Sequence, residues 1–546
     1  MAIEAGRRVN PLAVMIVVSL GLFMTLLDLT IVNIAIPSVV DGLHATLDQV
    51  LWVLNAYSLV YAVLLITAGR LGDVFGPRNL FAVGIAVFTV ASAASGLAQD
   101  PTQLILARAG QGLGAALLAP QGLPLLISLF PPERRAGTFA VFGILAGVAV
   151  VAGPTLGGFL VTHFGWRWIF YVNLPFGVAT LAAAFVLIPD LRPGRRHRLD
   201  LLGVLLASAG LLGVVFGLIE GQRYDWGTVR GFVTIPEILG AGVVLLAAFL
   251  VTQALRQDRE PLLPFAVFRD RNYSVMTLVL AAMGFAILGL YLPLTIFYQS
   301  VLGLSALDAG LTVAAQPLAM MLVSPLSGAV ANRFGGKYVL MPGLLLFAAG
   351  AGYIDWAAHV DAGRWSFLPG LLLSGVGLGC VWGPVYAIAT RDLGPELAGV
   401  ASGVLNTIQE LGGVIASAAV GALLQNRLAT ALHEQAVQRS DELPAPFREP
   451  FVAAFGGAAR SGLEVGAGQA GGNLRLPPGV PAQVAAQLHE LARQVFTHAF
   501  VDAMRPTLLL PIAVVVLAAA FTLAVRNRRS VVGGREVEPE AETPAA

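Results

Sequence analysis

The chain has 546 residues, 57% of them hydrophobic and 12% charged, with a formal net charge of +1. A soluble domain keeps about a quarter of its residues charged, so this composition excludes a soluble globular protein and places most of the surface against lipid. The one cysteine, Cys380, excludes an internal disulfide and a cysteine-based metal cage.

Arg7 and Arg8 precede an apolar run that continues past Ile36. That is too long for the roughly 7–15-residue core of a cleaved signal peptide, so the run reads as a retained span. A spanning helix needs about 20 apolar residues. About fourteen such runs follow, near 12–36, 49–68, 79–98, 104–129, 138–163, 168–188, 200–220, 231–254, 274–299, 307–331, 338–357, 367–390, 397–424 and 505–526. Asp28 lies within the first, in Leu27-Asp28-Leu29-Thr30-Ile31-Val32-Asn33. A charge at the centre of a membrane helix costs roughly 2.5–3.5 kcal/mol on insertion scales. Its natural use is to bind and release a proton. Desolvation favours the protonated carboxyl and a nearby cation favours the carboxylate, so alternation between the two environments loads and unloads the site.

The loops between runs test the count. Arg70 and Arg78, Arg134 and Arg135, Arg192 to Arg198, Arg256 to Arg271, Arg333 and Lys337, Arg391, and Arg526 to Arg529 fall in every second loop. The alternate loops carry Asp41, Asp48, Asp100, Asp225, Asp355 and Asp361, with fewer basic residues. Basic loops stay in the cytoplasm, which predicts an even number of spans in the cell membrane with both termini cytoplasmic. One outer loop, 427–504, is long, and Val484, Leu488, Leu491 and Val495 recur in it at helical spacing. That predicts a short amphipathic helix lying on the outer surface or capping the outer opening. Residues 531–546 read as a disordered tail.

Gly69-Arg70-Leu71-Gly72-Asp73-Val74-Phe75-Gly76-Pro77-Arg78 and Gly328-Ala329-Val330-Ala331-Asn332-Arg333-Phe334-Gly335-Gly336-Lys337 align without gaps. Both sit in loops of the same predicted orientation. A parallel repeat implies two related bundles about an axis along the membrane normal: 1–190 and 261–530, with two inserted spans in 191–260. Glycine suits a tight turn where backbones cross. Asp73 can accept hydrogen bonds from a helix N-terminus and pair with a basic residue of the neighbouring bundle. Gly69, Arg70, Asp73, Gly76 and Arg78, with Gly328, Asn332, Arg333, Gly335 and Lys337, therefore read as a conformational latch, weaker in the second copy where Asn332 replaces the acid.

These stretches resemble the major facilitator superfamily, and within it the fourteen-span drug:proton antiporter family. Gly69–Arg78 resembles its inner-loop signature, with departures at Val74 and Pro77, and Asp28–Pro37 its first-span signature. Arg108-Ala109-Gly110-Gln111-Gly112 is similar to the fourth-span motif whose arginine is linked to proton movement. Gly147 and Gly153-Pro154-Thr155-Leu156-Gly157-Gly158 resemble the fifth-span antiporter motif, and Trp166 to Pro175 the turn before the sixth span. The resemblance implies an all-α major facilitator fold with fourteen transmembrane helices. It further implies a monomeric proton-coupled antiporter that exports lipophilic, often cationic drugs by alternating access. Asp28 and Arg108 are then the proton-coupling residues.

Pro154 and the span-five glycines permit a kinked, closely packed helix. Glu410, in the thirteenth run, reads as a further proton or cation site, where the family more often has an uncharged residue. Asn33, Gln111, Tyr298, Gln316, Trp382 and Tyr386 are candidates for the substrate cavity. No phosphate loop and no His or carboxylate cluster is present, so ATP, a metal, a catalytic centre and a nucleic-acid partner are not expected, and the proton is the coupling ion. Export of an endogenous lipid, siderophore or antibiotic, proton-coupled nutrient import and a non-transporting receptor remain alternative readings.

Overall fold

Fourteen helices among the described residues are long and apolar enough to cross a membrane, as the sequence predicts. The computed structural model describes residues 10–45, 47–190, 200–221, 224, 226–258, 261–394, 397–458 and 482–526. The predicted tail at 531–546 lies outside them. Spans 1 to 6 are Pro11–Val32, Trp52–Phe75, Pro77–Leu97, Pro101–Leu129, Gly147–Phe164 and Trp168–Leu187. Spans 7 and 8 are Leu201–Glu220 and Ile235–Leu255. Spans 9 to 14 are Arg271–Val301, Asp308–Phe334, Lys337–Ala357, Arg364–Ala389, Ala398–Ser440 and Ala485–Ala524. A helix satisfies its own backbone groups, which lipid cannot do. Polar residues cap the entries: Asp100 accepts from the Gln103 amide at 2.9 Å, and Asp270 from the Tyr273 amide at 2.6 Å.

The first six spans pack on one another, chiefly 3 on 4, 2 on 4 and 1 on 5. The last six do the same, chiefly 9 on 13, 11 on 12 and 13 on 14. Spans 5 and 10 join the two groups, as do spans 2 and 13. Spans 7 and 8 pair with each other, and span 7 rests on both 2 and 13.

Helix backbones approach closely in lipid where small residues meet. A Cβ at Gly84 would lie 2.8 Å from the Gly114 carbonyl, and one at Gly343 3.0 Å from the Gly377 carbonyl. A Cβ at Gly114 would lie 2.7 Å from Phe88 Cα, and one at Gly377 2.8 Å from Phe347 Cα. Gly84 and Phe88 precede Gly343 and Phe347 by the same register that separates Gly69 from Gly328. The repeat therefore extends from the loops into the packing of span 3 on span 4, which is matched by that of span 11 on span 12.

The segment 427–504 corrects the sequence reading. The thirteenth helix runs on to Ser440, a second helix covers Ala445–Ala458, and the last is continuous from Ala482 to Phe521. Leu488, Leu491 and Val495 lie near the start of this long helix, not on a separate short one, and are buried with Leu428, Leu432 and Phe451. The last helix and the helix Ala445–Ala458 both pack on the extension of the thirteenth. The Val484 side chain lies outside the described residues.

Candidate functional site

The Asp28 carboxylate is fully buried, and so is its partner. One oxygen, Oδ2, is ion-paired with Arg108 Nη1. The other, Oδ1, accepts from Gln111 Nε2 at 3.0 Å and Asn173 Nδ2 at 3.3 Å. Arg108 and Gln111 are one helical turn apart on span 4, so both face span 1. Arg108 also donates to Gln111 Oε1 at 2.9 Å and, through Nε, to the Val53 carbonyl at 3.2 Å. Its guanidinium lies 4.7 Å from the centroid of the Tyr57 ring. Asn173, on span 6, donates at 3.1 Å to Ser92 Oγ, which itself donates to the Phe170 carbonyl at 2.9 Å. Side chains of spans 4 and 6 thus hold the carboxylate of span 1, and spans 2 and 3 hold those side chains in turn. Asn173 stands in a stretch the sequence reading singled out for other reasons, and an isolated carboxamide in an apolar run was the available signal. Tyr57 carries no such signal, because its position beside Arg108 is a tertiary fact.

A cavity of about 200 Å³ lies beside this cluster. Leu22, Leu26 and Leu29 of span 1, Tyr57 and Tyr61 of span 2, Trp382 and Tyr386 of span 12, and Asn406, Gln409 and Glu410 of span 13 line it. It is thus apolar and aromatic, with a carboxylate on one wall. Among the described residues no salt bridge reaches Glu410. The structure places Trp382, Tyr386 and Glu410 in this lining and Gln111 in the Asp28 cluster. The Asn33 side chain lies outside the described residues.

Gln316 and Tyr298 are elsewhere. Gln316 accepts from the Tyr291 hydroxyl and donates to Ser374 Oγ at 2.8 Å, a trio from spans 9, 10 and 12. These are the counterparts of spans 1, 2 and 4, which carry Asp28, Tyr57 and Gln111. The second copy thus holds a buried hydrogen-bonded cluster without a charge. Tyr298 packs against Phe367 with ring centroids 5.3 Å apart.

The span-five glycines face two neighbours. A Cβ at Gly147 would lie 2.7 Å from the Pro317 carbonyl of span 10. One at Gly153 would lie 2.6 Å from Thr30 Cβ, and one at Gly157 2.7 Å from Ile31 Cγ1. Span 5 is therefore seated on span 1 directly after Asp28. Gly158 meets nothing within 4 Å, and the Pro154 side chain lies outside the described residues.

On the side of the basic loops, Asp73 accepts hydrogen bonds from the backbone amides of Gly399 and Val400, in the first turn of span 13. Arg70 Nη1 is 3.8 Å from Asp73. The exposed amides and the dipole of a helix N-terminus favour a carboxylate there. Gly69 permits the contact, since a Cβ there would lie 2.5 Å from the Gly399 carbonyl. Gly76 and Gly335 have φ of 89° and 101°, a left-handed conformation at the same place in both copies that glycine adopts freely. Arg78 pairs with Asp190 at 3.1 Å, just after span 6, and Lys337 donates to the Leu523 carbonyl at 2.8 Å at the end of span 14. These two cations tie each loop to the last span of its own group instead of reaching across. Gly328 is buried in span 10, while Asn332 and Arg333 are exposed.

A cross-group contact absent from the sequence reading comes from Arg135, at the start of the helix that carries span 5. It donates to the Thr390 carbonyl at 2.5 Å, at the end of span 12, and to Phe130 and Ile127 carbonyls at 3.3 and 3.4 Å, at the end of span 4. One guanidinium thus sits between the negative ends of two equivalent helices. No group of three or more His, Cys, Asp or Glu suited to a metal occurs among the described residues.

The sequence profile of the Major Facilitator Superfamily matches residues 18–417. The chain belongs to this superfamily. The facilitator is 34% identical, over 96% of its own length and 93% of the relative's, to the tetracenomycin C resistance and export protein of Streptomyces glaucescens. It is 35% identical to the puromycin resistance protein pur8 of Streptomyces alboniger, over 76% of its length and 81% of that protein. It is 39% identical to an uncharacterized MFS-type transporter of Mycobacterium tuberculosis, over 82% and 77%. Among solved structures, the human organic anion transporter MFSD10 superposes with a TM-score of 0.56 at 15% identity, covering 93% of this chain and 100% of that one. The proton:xylose symporter XylE superposes with a TM-score of 0.54 at 14% identity, covering 82% and 94%. At these identities the two structures speak for the facilitator fold alone.

Proposed function

We propose that this facilitator is a proton-coupled antiporter that exports lipophilic, often cationic drugs across the cytoplasmic membrane by alternating access. The observation that carries the reading is the buried Asp28–Arg108 pair lying against an apolar, aromatic cavity, with Tyr57 belonging to both. The resistance and export proteins among its relatives support it.

The groups 1–190 and 261–530 rock about the cavity as a monomer, with 191–260 between them. A proton from outside neutralises Asp28, Arg108 loses its partner, and drug and proton come to favour opposite conformations. Breaking the Asp73 contact with span 13 and the Arg135 contact with span 12 opens the cytoplasmic side. Each proton moving through 100 mV supplies roughly 2.3 kcal/mol, and the pH gradient adds to it. No cofactor is required beyond the proton. Glu410 offers the charge that receives cationic substrates.

Ethidium efflux from cells tests this, with wild type compared with Asp28→Asn, with and without a protonophore. Efflux abolished by both is expected, and full proton-coupled efflux by Asp28→Asn sinks the role of Asp28. A second reading, export of a compound the cell itself makes, is favoured by the relative named for tetracenomycin C export. Absence of ethidium efflux together with proton-driven export of a cellular product would select it.

A further inference from the structure

Tyr57 is almost fully buried, and among the described residues its hydroxyl has no hydrogen-bond partner. Buried hydroxyls nearly always have one. The same side chain lines the cavity, and its ring lies beneath the Arg108 guanidinium. Its position is fixed from behind, because a Cβ at Gly112 would lie 3.1 Å from Tyr57 Cα. The ring is further stacked on Tyr61, with centroids 6.0 Å apart and planes 19° apart. The charged and titratable groups facing it are Asp28, Tyr61, Arg108 and Glu410. A phenylalanine would serve equally well for stacking and for holding a cation over its face, so these contacts leave the hydroxyl, sealed in this conformation, without a role.

We infer that Tyr57 is the residue through which a substrate acts on the Asp28–Arg108 pair, its hydroxyl donating to an acceptor oxygen of the substrate while its ring holds the guanidinium. This rests on the drug-export reading and refines it. The preferred substrates carry a carbonyl, quinone or ether oxygen on an apolar body. When such a compound binds the protonated protein, its contact with the hydroxyl holds the ring in the position seen here, beneath Arg108 beside Asp28; this favours the ion pair, and the carboxylic acid releases its proton once the conformational change opens a path to solvent. Tyr57 is a positioning residue for the proton site and a specificity residue for the cavity.

The test uses the purified full chain and two probes: doxorubicin, which has quinone and carbonyl oxygens, and tetraphenylphosphonium, which has none. Binding and proton release into weakly buffered solution are measured for wild type, Tyr57→Phe and Tyr57→Leu. Tyr57→Phe is expected to weaken doxorubicin binding about 5- to 10-fold, as for loss of one net hydrogen bond, and to leave tetraphenylphosphonium binding unchanged. Tyr57→Leu is expected to lower the protons released per doxorubicin bound by at least about half. Equal effects of Tyr57→Phe on both probes, or full proton release by Tyr57→Leu, would overturn the inference alone. A wild type that binds neither probe would overturn the drug-export reading and the inference with it. If Tyr57→Leu fails to fold, the difference between probes with Tyr57→Phe still decides.

Discussion

Arg108 and Asp28 form an ion pair in which both side chains are sealed from solvent, at 1% and 0% exposure. Removing one member of such a pair strands the other charge, at a cost of roughly 3–5 kcal/mol, whereas replacing both is far milder. Arg108→Ala should therefore lose much of its thermal stability. The double variant Asp28→Asn/Arg108→Gln should recover most of that loss, and neither should show proton-coupled efflux. Thermal unfolding in detergent checks the order. A single Arg108→Ala as stable as wild type would mean that the charge is not sealed.

Spans 2 and 13 meet with almost no room. A Cβ at Gly403 would lie 2.9 Å from the Leu65 carbonyl and 3.2 Å from Ile66 Cα. Overpacking of this kind costs about 1–3 kcal/mol, and in the proposed alternating-access cycle that cost falls on the conformation in which these helices touch. Gly403→Val should reach the membrane in normal amounts and lose nearly all efflux. Cysteine labelling of the cavity from the basic-loop side should rise in it.

Arg135 is buried against Thr390, while its neighbour Arg134 is exposed. Arg135→Gln should slow efflux at saturating drug several-fold and favour the conformation open on that side. Arg134→Gln should behave as wild type, because an exposed cation contributes little. Equal effects of the two would mean that only net loop charge matters.

Glu410 faces the cavity without an ion-pair partner among the described residues, so its carboxyl group is available to a ligand. Glu410→Gln should weaken export of cationic compounds about tenfold or more and spare neutral ones. Competition between ethidium and an uncharged drug reads this out, and equal losses for both would remove Glu410 from charge selection.

Asp200 caps span 7 and accepts from Gln253 at 2.7 Å, the Gly203 amide at 3.0 Å and Arg256 at 3.2 Å. Burial pushes its carboxyl up, but these donors and the Arg256 charge outweigh it and hold the group below the usual carboxylate range. A lowered value stabilises the fold above the unfolded value near pH 4, and the benefit is lost as pH falls through the folded one. Asp200→Asn should thus unfold at lower temperature at pH 7, with the deficit closing only below about pH 4. A deficit independent of pH would assign the loss to packing.

The fourteen spans, the buried acid in the first and the repeated Phe-Gly turn followed from the sequence because each is a local property. Lipid demands about 20 apolar residues per helix, an isolated charge in such a run stands out, and a left-handed turn selects glycine. Which groups meet was decided by the tertiary structure alone. Asn173 reaches Asp28 from 145 residues away, and Arg135 reaches Thr390 from 255. Arg78 and Lys337, identical in pattern to a latch, bind within their own groups. The helices beyond Ser440 depend on the extension of the thirteenth, on which both pack. Periodicity reports which face of a helix is apolar, but the neighbour that covers it is set by how all the helices share one core.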